Sequence, residues 1–253
     1  MSSERCVAVL NQKGGVGKTT VVLGLASAAA AAGRRVLVLD MDPQSATSWV
    51  LGIEPGQTLS MTDVLERTPL ADAAVASPWS SLIDVVPADG TLQAHEDAKP
   101  GRLARALRTA DLDRYDAVLI DCPPSLGSLT VNALSAARYA LVVVEPSTLG
   151  LRGIGGVADV LDTVWDAKNP DLELCGVILN RVPARSRHAR ERIEELTKIV
   201  GRSTVWSPPI PQRVMFSHAQ ADRRPIHSYG ARAGDATEAF DHLWARLRRT
   251  VRR

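Results

Sequence analysis

The sequence predicts an α/β fold, a single doubly wound, mostly parallel sheet with helices on both faces. Three observations carry that prediction. Short, continuous runs rich in Val and Ile recur along the 253 residues, and stretches with helical spacing separate them. Glycines and carboxylates fall where the runs end, which is the edge of such a sheet that binds ligands.

The elements follow in order. "CVAVL" (6–10) reads as a strand buried on both faces, because its apolar run does not alternate with polar residues. Helical spacing covers 18–32, where the alanines of 28–32 favour a helix packed close to a sheet and Gly33 supplies its C-cap. "RVLVLD" (35–40) is the next strand, "GIEPGQ" lies in a surface loop over 52–60, and "LIDVVPA" (82–88) is a third strand. Pro100 and Gly101 break the chain before a helix over 102–110 that carries Leu103 and Leu107. Strands "AVLID" (117–121), "ALVVVEP" (140–146) and "CGVILN" (175–180) then alternate with helices over 128–137, 150–168 and 186–200. In the last segment, "DATEAFDHLWARLRRTVRR", residues Phe240, Leu243, Trp244, Leu247 and Val251 share one helical face. That stripe is read as a helix packed on its own domain. A basic amphipathic helix lying on an anionic membrane is the alternative.

The bulk properties set the class. With 45% hydrophobic and 23% charged residues the chain buries a core, and its length fits one domain over 1–253. No apolar run approaches the ~20 residues that span a bilayer, and "MSSERCVAVLNQ" carries no basic leader or cleavage site. A cytoplasmic protein is therefore expected. Cys6, Cys122 and Cys175 lie beside apolar runs without CxxC spacing, so they read as buried reduced thiols and not as metal ligands. The five histidines and five tryptophans show no metal constellation and no stacking ladder. The net charge of +2 divides unevenly: residues 181–253 carry +9 and residues 1–180 carry −7. A basic surface facing a polyanion is one reading, and ordinary solvated arginines are the other.

"NQKGGVGKTT" (11–20) follows the first strand and opens the first helix, the context a phosphate-binding loop requires. Gly14, Gly15 and Gly17 let the backbone approach a phosphate, and the helix N-terminus adds a positive end. Lys18 reaches β- and γ-phosphates, the Thr19 hydroxyl suits a Mg²⁺ ligand, and Thr20 adds a phosphate contact. The general pattern GxxxxGK[ST] needs a glycine where this chain has Gln12. Asp40 and Asp42 in "VLVLDMDPQ" and Asp121 in "AVLIDCPPSLG" end two further strands on the same edge, and Asp121 suits holding Mg²⁺ through water.

These residues resemble the ParA/MinD family of deviant Walker A ATPases, and most closely its ParA (Soj-like) partitioning branch. "KGGVGKTT" is similar to the family's deviant Walker A motif, "LDMDPQ" to its second acidic motif, and "LIDCPPSLG" to its Walker B and switch II. Weaker similarity runs through "LNRV" (179–182) and "PPIPQRVMFSHAQADRRPI" (208–226). The resemblance implies a P-loop NTPase fold, with ATP and Mg²⁺ bound by Lys13, Gly14, Gly15, Val16, Gly17, Lys18, Thr19 and Thr20. It implies that Lys13 acts in trans, crossing the interface of an ATP-sandwich homodimer to neutralise charge on the partner's nucleotide, as an arginine finger does. Asp42 is then the carboxylate that orients or activates water, Asp40 is structural or near the metal, and Gly127 is the switch II glycine. Asn180 and Pro211 match positions that frame the adenine.

ParA-type proteins bind double-stranded DNA without sequence preference as ATP dimers. Arg185, Arg187, Arg190, Arg213 and Arg224 are the candidate contacts, in competition with surface ion pairs to Glu191, Glu194 or Glu195. The resemblance also implies slow ATP hydrolysis timed by a ParB-like centromere-binding protein, and nucleoid association when ATP is bound. Specific operator binding is not expected, because no N-terminal extension houses a helix-turn-helix. A MinD-like membrane-surface ATPase, ParA-like positioning of a non-DNA cargo, and a metabolic or metal-delivery P-loop enzyme stay open as alternatives.

Overall fold

The computed structural model describes residues 4–97 and 99–252; the first residues of the segment read for a leader, and Arg253 of the C-terminal basic segment, lie outside them. The chain runs β1 (Cys6–Leu10), α1 (Lys18–Ala31), β2 (Val36–Asp40), α2 (Ala46–Val50), α3 (Met61–Glu66), α4 (Leu70–Ala73), β3 (Val75–Ala76) and β4 (Ile83–Val86). It continues through α5 (Arg102–Thr109), β5 (Ala117–Asp121), α6 (Ser128–Ala136), β6 (Tyr139–Val144), α7 (Thr148–Ala167), β7 (Glu173–Leu179), α8 (Arg187–Val200), α9 (Met215–Ala221) and α10 (Gly234–Thr250).

The sheet order is β3-β4-β2-β5-β1-β6-β7, parallel at every pairing except the two-residue edge strand β3 against β4. Parallel strands need crossovers, and the helices that supply them cover both faces. Alternate residues of β1 divide the core. Cys6, Ala8 and Leu10 face a layer with Leu103, Leu129 and Leu161, while Val7 and Val9 face one with Val21, Leu25, Phe240 and Leu243. The apolar stripe of α10 is thus spent inside the molecule, with Phe240, Leu243, Trp244, Leu247 and Val251 all buried. No helix among the described residues is long and apolar enough to cross a membrane.

Glycine permits the closest helix contact. A Cβ on Gly24 of α1 would lie 2.1 Å from the Phe240 ring, so only a bare backbone lets α10 seat there. Gly33, at φ +67, ends α1 as a C-cap should, with Arg34 N–H returning to the Ala29 carbonyl. Residues 52–60 form the surface loop the sequence suggests, and the short helices α2, α3 and α4 flank it in stretches for which the sequence gives no element.

Candidate functional site

Parallel pairing sets the register that builds the site. Asp121 on β5 lies opposite Asp40 on β2 and Val9 on β1, so both carboxylates stand beside the loop that leaves β1. In that loop Gly15 and Gly17 take φ of +77 and +90, backbone that side-chain-bearing residues adopt at a cost. A Cβ on Gly17 would also stand 2.2 Å from Asn180 Nδ2.

The loop is gripped from behind. Asn180 Nδ2 donates to the Val16 carbonyl at 2.7 Å, and Arg181 Nη1 donates to the Gly15 carbonyl at 2.6 Å. Among the described residues nothing accepts from the backbone N–H of Gly14, Gly15, Val16 or Gly17. Four free donors beside the N-terminus of α1 make an anion nest. The open cavity in front of it measures about 250 Å³ and is lined by Lys18, Thr19, Thr20 and Asp42 as well as the loop glycines.

Asp121 is 1% exposed, and its Oδ2 accepts from Thr19 Oγ1 at 2.7 Å and Thr47 Oγ1 at 2.5 Å. Its Oδ1 is buried without a partner. Burial raises the pKa of Asp121 above the ordinary carboxylate range, against the lowering pull of Thr47, Thr19 and Lys18. A buried oxygen with no donor, next to a threonine hydroxyl and an anion nest, fits the outer sphere of a magnesium ion that phosphates complete. No group of three or more His, Cys, Asp or Glu that could hold a metal ion occurs among the described residues.

Asp40 is fully buried and plays a different part. Its Oδ2 accepts from the Ser48 amide and hydroxyl at 2.9 and 2.7 Å, and its Oδ1 accepts from the Asp42 amide at 3.1 Å. Burial, with Asp121 adding to it, raises its pKa as well. Asp40 therefore shapes the turn that presents Asp42, whose own Oδ1 accepts from the Gln44 amide at 3.0 Å.

Of the loop lysines, Lys18 is 7% exposed and faces the cavity. Lys13 lies outside it, with Nζ 3.6 Å from Glu145 Oε2. Thr20 Oγ1 accepts from Gln220 Nε2 at 2.9 Å. Gly127 stands at the N-cap of α6. Asn180 is 1% exposed and braces the loop, and Pro211 pairs with Val182 through a bridge; neither lines the cavity.

The arginines read as DNA contacts are all exposed. Arg187 is paired with Glu191 at 2.9 Å, Arg213 with Asp235, and Arg224 stacks on Tyr229. Arg185 and Arg190 have no ion-pair partner among the described residues. No disulfide joins the three cysteines among the described residues; Cys6 and Cys122 are buried and Cys175 half-buried, and burial pushes the Cys6 and Cys175 thiols up to about 12. Sequence reasoning missed Thr47, Arg181 and Gln220. Arg181 stands inside the quoted "LNRV" and Gln220 inside the quoted "PPIPQRVMFSHAQADRRPI", whereas nothing in the sequence marks Thr47, which follows the Asp42 turn on α2.

Residues 4–174 match a family described as "AAA domain". The chain is 37% identical to the chromosome partitioning protein ParA of Caulobacter vibrioides, over 89% of this chain and 87% of that one. It is 35% identical to the sporulation initiation inhibitor protein Soj of Bacillus subtilis, over 94% and 96%. Among solved structures, cobyrinic acid a,c-diamide synthase from Mycobacterium smegmatis with bound ADP and magnesium superposes with a TM-score of 0.80 at 32% identity, covering 95% of this chain and 92% of that one. Similarity of this extent, on a sheet of this order with this loop, means that the chain belongs to the ParA/MinD family of P-loop NTPases.

Proposed function

We infer that this chain is a single-domain MgATP-dependent partitioning ATPase, which closes into a sandwich homodimer on ATP, binds double-stranded DNA without sequence preference, and hydrolyses ATP slowly to reset. The observation that carries the reading is the unpartnered Asp121 Oδ1 beside Thr19 and the four free amides of the loop. Free donors and a buried bare carboxylate oxygen together call for a phosphate and its cation.

The loop amides bind the β-phosphate, and Lys18 neutralises the β- and γ-oxygens from the cavity floor. Thr19 and, through water, Asp121 would hold magnesium, which neutralises charge between the same phosphates. Asp42, held by the turn that Asp40 builds, orients the attacking water and takes its proton as the bond from γ-phosphorus to the ADP oxygen breaks. The placement of Lys13 outside its own cavity, on Glu145, supports a role on the partner's nucleotide. ATP then drives the switch only as far as it stabilises the dimer more than ADP does.

Two partitioning relatives support DNA as the surface that the dimer rides, with a ParB-like protein timing hydrolysis. Unpaired Arg185 and Arg190 support the same reading, and the burial of the α10 stripe weighs against a membrane surface. Residence in the cytoplasm and on the nucleoid goes with it. The likeness to the mycobacterial protein favours a second reading, cobyrinic acid a,c-diamide synthesis, in which ATP turnover needs the acid and ignores DNA.

Co-sedimentation with DNA, with liposomes in parallel, tests the proposal on wild type and Lys13→Ala under ATP, ADP and no nucleotide. Wild type is expected to pellet with DNA only with ATP and only at low salt, and K13A not at all. DNA binding indifferent to nucleotide, or capture by liposomes, contradicts it.

A further inference from the structure

The helix α2 follows Asp42 and holds Thr47, yet it is five residues long. A helix so short has no stability of its own, and its last carbonyls need donors from elsewhere. The Trp49 carbonyl accepts locally from the Gly52 amide at 3.1 Å and, from a distant segment, from Arg223, whose Nε donates to it at 2.7 Å. The same guanidinium lies over the Trp49 ring, 5.0 Å from its centroid, and its Nη1 is 2.5 Å from Glu54 Oε1. One side chain, 27% exposed, therefore grips the helix by a carbonyl, a ring and the acid just beyond it.

The Arg223 backbone is held as well. It takes φ +51, a left-handed conformation that costs a residue with a Cβ about 1 kcal/mol, and its carbonyl accepts from Trp79 Nε1 at 2.9 Å. What it grips matters to the site: Thr47 donates to Asp121, and Ala46 and Val50 line the cavity. Just before it, Gln220 of α9 donates to Thr20 of α1. Residues 220–223 thus tie the α1 side of the cavity to the α2 side.

We propose that Arg223 is a positioning residue for hydrolysis: through Trp49 and Glu54 it holds α2, and with it Thr47 and the Asp42 turn, in place at the nucleotide. Arg223 itself touches no substrate. The proposal rests on the ATPase reading given above.

Arg223→Gly removes the guanidinium while suiting the left-handed backbone, so the fold is retained; Arg223→Lys keeps the charge and loses the planar fork. Two measurements on the full chain decide. Amide exchange of residues 44–54 without nucleotide is expected to rise about tenfold in R223G, with R223K between it and wild type. Turnover of ATP is expected to fall about tenfold in R223G while the affinity for a fluorescent ADP analogue stays within about twofold, since a misplaced water-orienting group costs rate and not binding. Glu54→Gln is expected to shift both in the same direction and by less. Unchanged exchange in R223G overturns the clamp, and raised exchange with unchanged turnover overturns the positioning role. A wild type that hydrolyses no ATP sinks the ATPase reading and the positioning role with it, and the exchange data alone then decide whether Arg223 holds α2.

Discussion

At Asp121 the needs of folding and of ligand binding oppose each other. The carboxyl is buried, its Oδ1 has no donor, and its pKa is raised by desolvation, as is that of Asp40 across the strand. A carboxyl whose pKa is raised by folding contributes stability below its unfolded value and loses it as pH climbs through the raised one. The nucleotide-free protein is therefore expected to melt at falling temperature as pH rises from the ordinary carboxylate range through neutrality. Asp121→Asn removes one of the two buried charges, so its melting temperature at pH 8 is expected to match or exceed that of wild type while MgATP hydrolysis is lost. Calorimetry and phosphate release on the same sample check this; a destabilised D121N that still turns over ATP contradicts the role given to Asp121. Residues at this scale are readable where chemistry clusters locally, as in the glycines, Lys18 and Thr19. The sequence leaves Asp40 between two roles, because only its three hydrogen bonds, to Asp42 and Ser48, show it building a turn.

Among the elements, the seat of α10 on α1 is the clearest tie between core and site. Phe240 fills the space over Gly24, and α1 begins at the phosphate loop. Phe240→Ala is expected to cost about 3–5 kcal/mol by opening a cavity there; chemical denaturation measures it, and a loss below about 1 kcal/mol contradicts the packing account. A Ser27–His227–Asp241 chain, at 2.6 and 3.1 Å, joins α1 to α10 in the same region. Ser27 is 2% exposed, so no substrate reaches it and the chain is a structural link. The long parallel strands and their helices are legible because continuous apolar runs and helical spacing report burial directly. The short elements at 46–50 and 61–76 are not. Helices of four to six residues and a two-residue strand carry too little periodicity, and their support comes from far away, as with Arg223 on Trp49.

For the whole molecule the charge division is the feature to explain, since the +9 of residues 181–253 coexists with −7 before it. Internal ion pairs absorb part of it: Arg213 meets Asp235, Arg223 meets Glu54, and Arg248 and Arg252 meet Asp116. What is left exposed and unpaired includes Arg185 and Arg190 at the start of α8. DNA affinity of the ATP-bound protein is expected to fall linearly in log–log terms with salt, and the double variant Arg185→Ala, Arg190→Ala to flatten that slope by up to about 1.8, or about 0.9 for each lost phosphate contact. Fluorescence anisotropy across a salt series reads this, and an unchanged slope moves the DNA surface elsewhere.

The central claim is that Lys13 completes the site of the other protomer, and mixing two inactive variants tests it most directly. Lys13→Ala keeps the nucleotide loop and lacks the donated lysine; Lys18→Ala lacks its own phosphate lysine and keeps Lys13 to give. Each alone is expected to hydrolyse ATP at background, and an equimolar mixture well above the sum of the two, because a mixed dimer pairs an intact loop with an intact Lys13. A mixture that stays at that sum, with both variants shown to be folded and mixed dimers shown to form, contradicts action in trans.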